Sequence, residues 1–97
     1  MRAFGAIEVF GLVFMLEAAD AMAKAGDVDI IGYENVASGY VSVLIEGDVS
    51  ACEAAVSAGV KAIENIGGEA YSSVVIPRPH HDLEKITKRY KLENLLP

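Results

Sequence analysis

Apolar and polar positions change period several times along the chain, and each change marks an element. Residues 3–10, Ala-Phe-Gly-Ala-Ile-Glu-Val-Phe, are rich in apolar, β-branched and aromatic side chains and end at Gly11, which predicts a first strand. From Leu12 to Ala25 the period lengthens, with Leu12, Met15, Leu16, Ala19, Met22 and Ala23 recurring at helical spacing. Lys24 in the last turn suits the helix dipole, and Gly26 is expected to close the helix in a left-handed cap. Strands are predicted at 29–36 and 40–46, the second with Val41, Val43 and Ile45 on one face. Between them Val36-Ala37-Ser38-Gly39 reads as a tight hairpin turn of small residues, with Gly39 free to take a positive φ. Asp48 is the expected N-cap of a second helix, Val49 to about Ile66, with Val49, Cys52, Val56, Val60 and Ile63 as its buried stripe. Gly67-Gly68 ends it. Ala70 to Ile76 predicts a fourth strand, stopped by Pro77-Arg78-Pro79. A short polar helix from Asp82 to about Arg89 and a loosely specified end complete the chain.

The order β-α-β-β-α-β-α contains a weak internal repeat, residues 3–36 and again 40–76. Two split β-α-β units predict an α+β fold of the ferredoxin-like kind: a four-stranded antiparallel sheet with helices on one face. The other sheet face is left to water, a ligand or a partner subunit. Residues 1–90 are assigned to one domain and 91–97 to a tail.

Composition narrows the function classes. Ninety-seven residues, 53% of them hydrophobic, supply one core and little room for a deep cleft with a lid. No apolar run reaches the ~18 residues of a membrane span, and the N-terminus lacks the apolar core of a signal peptide, so a cytoplasmic protein without a membrane partner is expected. Cys52, the single cysteine, cannot form an internal disulfide and reads as a small core residue. Residues 1–77 carry three basic and eleven acidic side chains, whereas residues 78–97 carry five basic and three acidic. The acidic body argues against phosphate and nucleic-acid partners.

No catalytic, cofactor-binding or metal-binding constellation is legible. His80 and His81 are adjacent, so in an extended chain they point to opposite sides, and no Cys/His spacing supports a metal. The turns at Gly11 and Gly67-Gly68 lack both dinucleotide and Walker spacing. Glu17 and Asp20 read as a solvated helix face. Two features stand out: the small-residue turn, and Arg78 held between two prolines. A fork-shaped donor on a stiff backbone suits a contact across an interface, although a strand-terminating proline pair accounts for it equally well.

Taken in order, several stretches carry a resemblance: Gly5-Ala6-Ile7-Glu8, Glu17-Ala18-Ala19-Asp20-Ala21-Met22-Ala23-Lys24, Gly32-Tyr33-Glu34 with Val36-Ala37-Ser38-Gly39, Gly47-Asp48-Val49, and Val75-Ile76-Pro77-Arg78-Pro79-His80. Over about residues 4–84 the chain resembles bacterial microcompartment shell proteins of the single-domain, hexamer-forming type, similar to propanediol, ethanolamine and carboxysome shell hexamers. The resemblance implies a non-enzymatic structural role. Six copies form a flat tile, and tiles join other shell proteins edge to edge around encapsulated enzymes. It also implies that Val36, Ala37, Ser38 and Gly39 line a narrow central pore for small polar metabolites. Lys24, Asp27 and Arg78 would meet the next tile.

The chain departs from the family pattern at several positions. Val9-Phe10 replaces Thr with Lys or Arg, Asp27 stands where Asn is frequent, Asn35 replaces Lys or Gln beside Glu34, and Tyr40 replaces a smaller aliphatic residue. The pore neighbourhood is accordingly less positive. Two other classes are weighed against the shell tile: a small-molecule-binding regulatory domain of ferredoxin-like fold, and an acyl- or phosphate-transferring enzyme, the latter lacking a nucleophile and base.

Overall fold

The computed structural model describes residues 2–35 and 37–88. Strand β1 spans Ala3–Phe10, helix α1 Leu12–Ala25, β2 Val28–Asn35, a single 3-10 turn Ala37–Gly39, β3 Tyr40–Gly47, helix α2 Val49–Asn65, β4 Ala70–Ile76 and α3 Leu83–Thr87. The strands form one antiparallel sheet in the order β2-β3-β1-β4, as a ferredoxin-like α+β fold requires. Both long helices pack against β1 and against each other.

The core follows the predicted periods. Ile7, Val9, Val43 and Ile45 alternate onto one sheet face and meet Met22, Cys52 and Ile63, all less than 2% exposed. Burial of each large aliphatic side chain contributes about 1.5–3 kcal/mol, which fixes the register because a one-residue slip turns the whole set to solvent. The stripe on α2 is narrower than expected: Val49 is exposed, while Cys52, Val56 and Ile63 are buried. On α1 the apolar surface is wider than the core needs, since Leu12, Val13 and Leu16 are 55–71% exposed.

The helix ends depart from the sequence expectation in two places. Gly26 is extended, at φ −141 and ψ 162, because the chain runs from α1 directly into β2. What demands glycine there is a close approach: a Cβ would lie 2.6 Å from the carbonyl oxygen of Ala51 on α2. Asp48 occupies the N-cap of α2, but its side chain makes no capping hydrogen bond. Gly67 does close α2 in the left-handed region, at φ 89. The Gly67 and Gly68 amides donate to the carbonyls of Glu64 and Ile63, both at 3.0 Å, which is the Schellman arrangement.

Strand β2 begins one residue earlier than predicted, at Val28 opposite Gly47, and its pairing shifts between Ile30 and Gly32. Val36, Arg89 and the 91–97 tail lie outside the described residues.

Candidate functional site

The small-residue turn is sharper than a hairpin with one permissive glycine. Gly39 has φ 87, and Ser38 also has a positive φ of 74 with ψ 18. A side chain in this left-handed region costs roughly 1–2 kcal/mol relative to ordinary backbone, so the surrounding contacts must hold it. One is a backbone bond, Gly11 N–H donating to the Gly39 carbonyl at 2.9 Å. Another is steric: a Cβ on Gly39 would lie 2.9 Å from Phe10 Cε2. Ser38 and Gly39 are both exposed. The sequence signals Gly39 but gives no sign that Ser38 shares its conformation.

Beside the turn stands an aromatic cluster. Phe10 pairs in register with Tyr40, and their rings meet edge to face with centroids 5.4 Å apart and planes at 73°. Tyr40 meets Tyr71 in the same manner at 4.9 Å and 61°. Tyr71 reaches it because β4 carries an extra residue there: Glu8 pairs with Ser72 but Val9 pairs with Ala70. The bulge re-aims the unpaired side chain. Phe10 and Tyr40 were each notable in the sequence, but the bulge that adds Tyr71 was not readable.

The edge residues expected from the sequence lie at the other end of the sheet. Register places Ala3 opposite Gly47, Gly47 opposite Val28, and Phe4 opposite Ile76. Asp27 therefore enters β2, and Arg78 leaves β4, at the end remote from Ser38. Lys24 belongs to the same end, in the last turn of α1. Eight-residue strands separate the two ends by about 25 Å. The three edge residues are exposed. Lys24 Nζ is 2.8 Å from Asp20 Oδ2 one helical turn back, and this bonded carboxylate raises the lysine pKa. Arg78 makes no ion pair among the described residues. At the same end Arg2 bridges Asp29 at 2.6 Å and Glu46 at 3.6 Å, tying β2 to β3.

His80 and His81 do not point to opposite sides. The chain turns after Pro79, with Leu83 N–H donating to the His80 carbonyl at 2.9 Å, so the alternation of an extended chain is lost. Their rings stack at 4.3 Å, and Asp82 lies beside both. The cluster is exposed, and Lys85 Nζ is 3.1 Å from the Asp82 carboxylate. On the sheet face away from the helices, Glu8 accepts hydrogen bonds from Ser72 at 3.3 Å and Ser42 at 3.5 Å.

The BMC domain model matches residues 3–79. The bacterial microcompartment shell protein PduA of Citrobacter freundii is 50% identical over 85 residues, covering 88% of this chain and 90% of its own length. EutM, a shell protein of Escherichia coli K12, is 48% identical over 86 residues, covering 89% and 88%. The carboxysome shell protein CcmK2 of Synechocystis is 47% identical over 85 residues, covering 87% and 82%. Among solved structures, a microcompartment protein from Desulfitobacterium hafniense superposes with a TM-score of 0.79 at 36% identity over 88% of this chain. The chain spans 48% of that protein's length. With one family model over most of its length and relatives near half identity on both coverages, the chain belongs to the BMC-domain family and is a structural shell protein, not an enzyme.

Proposed function

We propose that six copies of the chain form a flat tile of a cytoplasmic microcompartment shell, with the turn at 36–39 around the sixfold axis and Lys24, Asp27 and Arg78 along the outer edge. The observation that carries this reading is the register. It sets the small-residue turn and the edge residues at opposite ends of one rigid sheet, the arrangement a spoke from axis to rim needs. Small size at the turn then follows from crowding, because any side chain there meets five copies of itself. Exposed Leu12, Val13 and Leu16 on α1 supply apolar surface for contact between subunits. Ser38 presents its hydroxyl and neighbouring peptide groups to solutes in transit, replacing part of a polar metabolite's hydration. Other shell proteins meet the edge, and enclosed enzymes lie against one tile face.

Light scattering of the purified chain tests the assembly, with a particle of six chain masses expected. A strictly monomeric species across micromolar to millimolar concentration overturns it. Leu16→Glu is expected to shift the hexamer toward smaller species, and an unchanged mass would remove the α1 surface from the contact.

A further inference from the structure

We propose that the cleft lined by Phe10, Tyr40, Glu69, Ala70 and Tyr71 binds small organic monocations of the alkylammonium class. The cleft holds about 250 Å³, below the ~300 Å³ at which drug-sized pockets begin, and so suits a solute of a few heavy atoms. Tyr40 is edge to face with both Phe10 and Tyr71, so the rings turn their faces in different directions around one small space. An aromatic face carries the negative part of the ring quadrupole and attracts a cation placed over it.

Three further observations select a cation over a neutral solute. Glu69 adds a carboxylate to the wall, no lysine or arginine among the described residues lines the cleft, and the whole chain carries a formal charge of −6. A weakly hydrated alkylammonium loses little water on entering, whereas a metal cation or bare ammonium gives up a strong hydration shell for no fixed oxygen cage. The bulge at Tyr71 supports a built feature, since the added residue in β4 is what brings the third ring to Tyr40. Phe10 also packs against Gly39, which places the cleft beside the turn without making its occupancy depend on any role of that turn in transport.

Saturation-transfer NMR on the assembled full chain, with tetramethylammonium as probe and tert-butanol as the neutral control of similar shape, tests the assignment. Tetramethylammonium is expected to bind about two- to fivefold more tightly than tert-butanol, the ratio that a cation–π contact at an exposed site supplies. Tyr71→Ala is expected to weaken binding at least several-fold while Tyr71→Phe retains it. Glu69→Gln is expected to weaken it and to flatten its dependence on salt. Tyr71 is 67% exposed, so its replacement does not threaten the fold, and an unchanged particle mass confirms that. Equal binding of the neutral control, or full binding by Tyr71→Ala, overturns the proposal. Either result with the hexamer mass unchanged leaves the tile reading standing.

Discussion

Gly11 donates its amide hydrogen to the carbonyl oxygen of Gly39 across 2.9 Å, so the start of α1 and the small-residue turn are one mechanical unit. Phe10, immediately before Gly11, covers the same turn from the side. The conformation at Ser38 and Gly39 therefore depends on residues nearly thirty positions earlier, and substitutions there report on both.

Gly39→Ala is expected to destabilise the chain by about 1–3 kcal/mol, since it combines a side chain at φ 87 with a Cβ 2.9 Å from the Phe10 ring. Urea unfolding measures the loss. In the Phe10→Leu background the cost is expected to shrink, because the smaller side chain relieves the steric part, and an identical cost in both backgrounds would refute that part.

Ser38→Gly is expected to raise stability by up to about 1 kcal/mol, because glycine adopts the left-handed region without a Cβ penalty. Ser38→Val is expected to lower it by about 1–2 kcal/mol for the opposite reason. Denaturation midpoints moving in the reverse order would show that the turn is not strained at Ser38. A bulky replacement at 38 is also expected to slow metabolite passage through assembled shells.

Lys24→Ala and Arg78→Ala are each expected to leave the hexamer intact and to reduce extended sheets seen by electron microscopy, since a small loss per edge repeats along a lattice. The pairing with Asp20 lifts the Lys24 pKa above its ordinary 10.5. A raised lysine pKa keeps the side chain protonated throughout pH 7–9, so sheet formation is expected to be flat over that range as far as Lys24 governs it. A sharp loss of sheets below pH 9 in the parent chain, absent in Lys24→Ala, would contradict the assignment.

Cys52 is 0% exposed and its Sγ–H donates to the Ala3 carbonyl at 3.6 Å, and burial raises its pKa. A thiol with a raised folded-state pKa contributes stability that is complete below the unfolded value of about 8.5 and is lost as pH rises through the folded value. Thiol reagents are therefore expected to react with Cys52 at a rate set by unfolding, accelerating in urea. Rapid labelling of the native chain at pH 8 would show that the sulfur is reached without opening the core.

The element order and most of the core were legible because hydrophobic period distinguishes helix from strand without tertiary information, as Val41, Val43 and Ile45 illustrate. What escaped the sequence depends on contacts between distant segments. Gly26 looked like a left-handed cap, yet it is required by the Ala51 carbonyl of another helix. Asp48 stands at the right position, and its carbonyl accepts from Cys52 N–H at 2.9 Å, but its side chain does not cap the helix. The stacked His80 and His81 follow from a turn after Pro79 that no spacing rule encodes, and Tyr71 joins the aromatic cluster through a bulge visible only in the pairing. The resemblance drew attention to Ser38 and Gly39 as part of a pore turn, whereas the left-handed backbone at Ser38 emerged from the geometry alone.

The sheet register has one more consequence. Because about 25 Å of hydrogen-bonded sheet stands between the 36–39 turn and the end that carries Lys24, Asp27 and Arg78, changes at one end are energetically independent of changes at the other. In the proposed tile, what passes the turn and which neighbours the rim accepts would thus be separately adjustable properties of one short chain. On that proposed arrangement, tiles with different openings but a common rim would fit one lattice, and a shell would vary its permeability by substituting members without redrawing its seams.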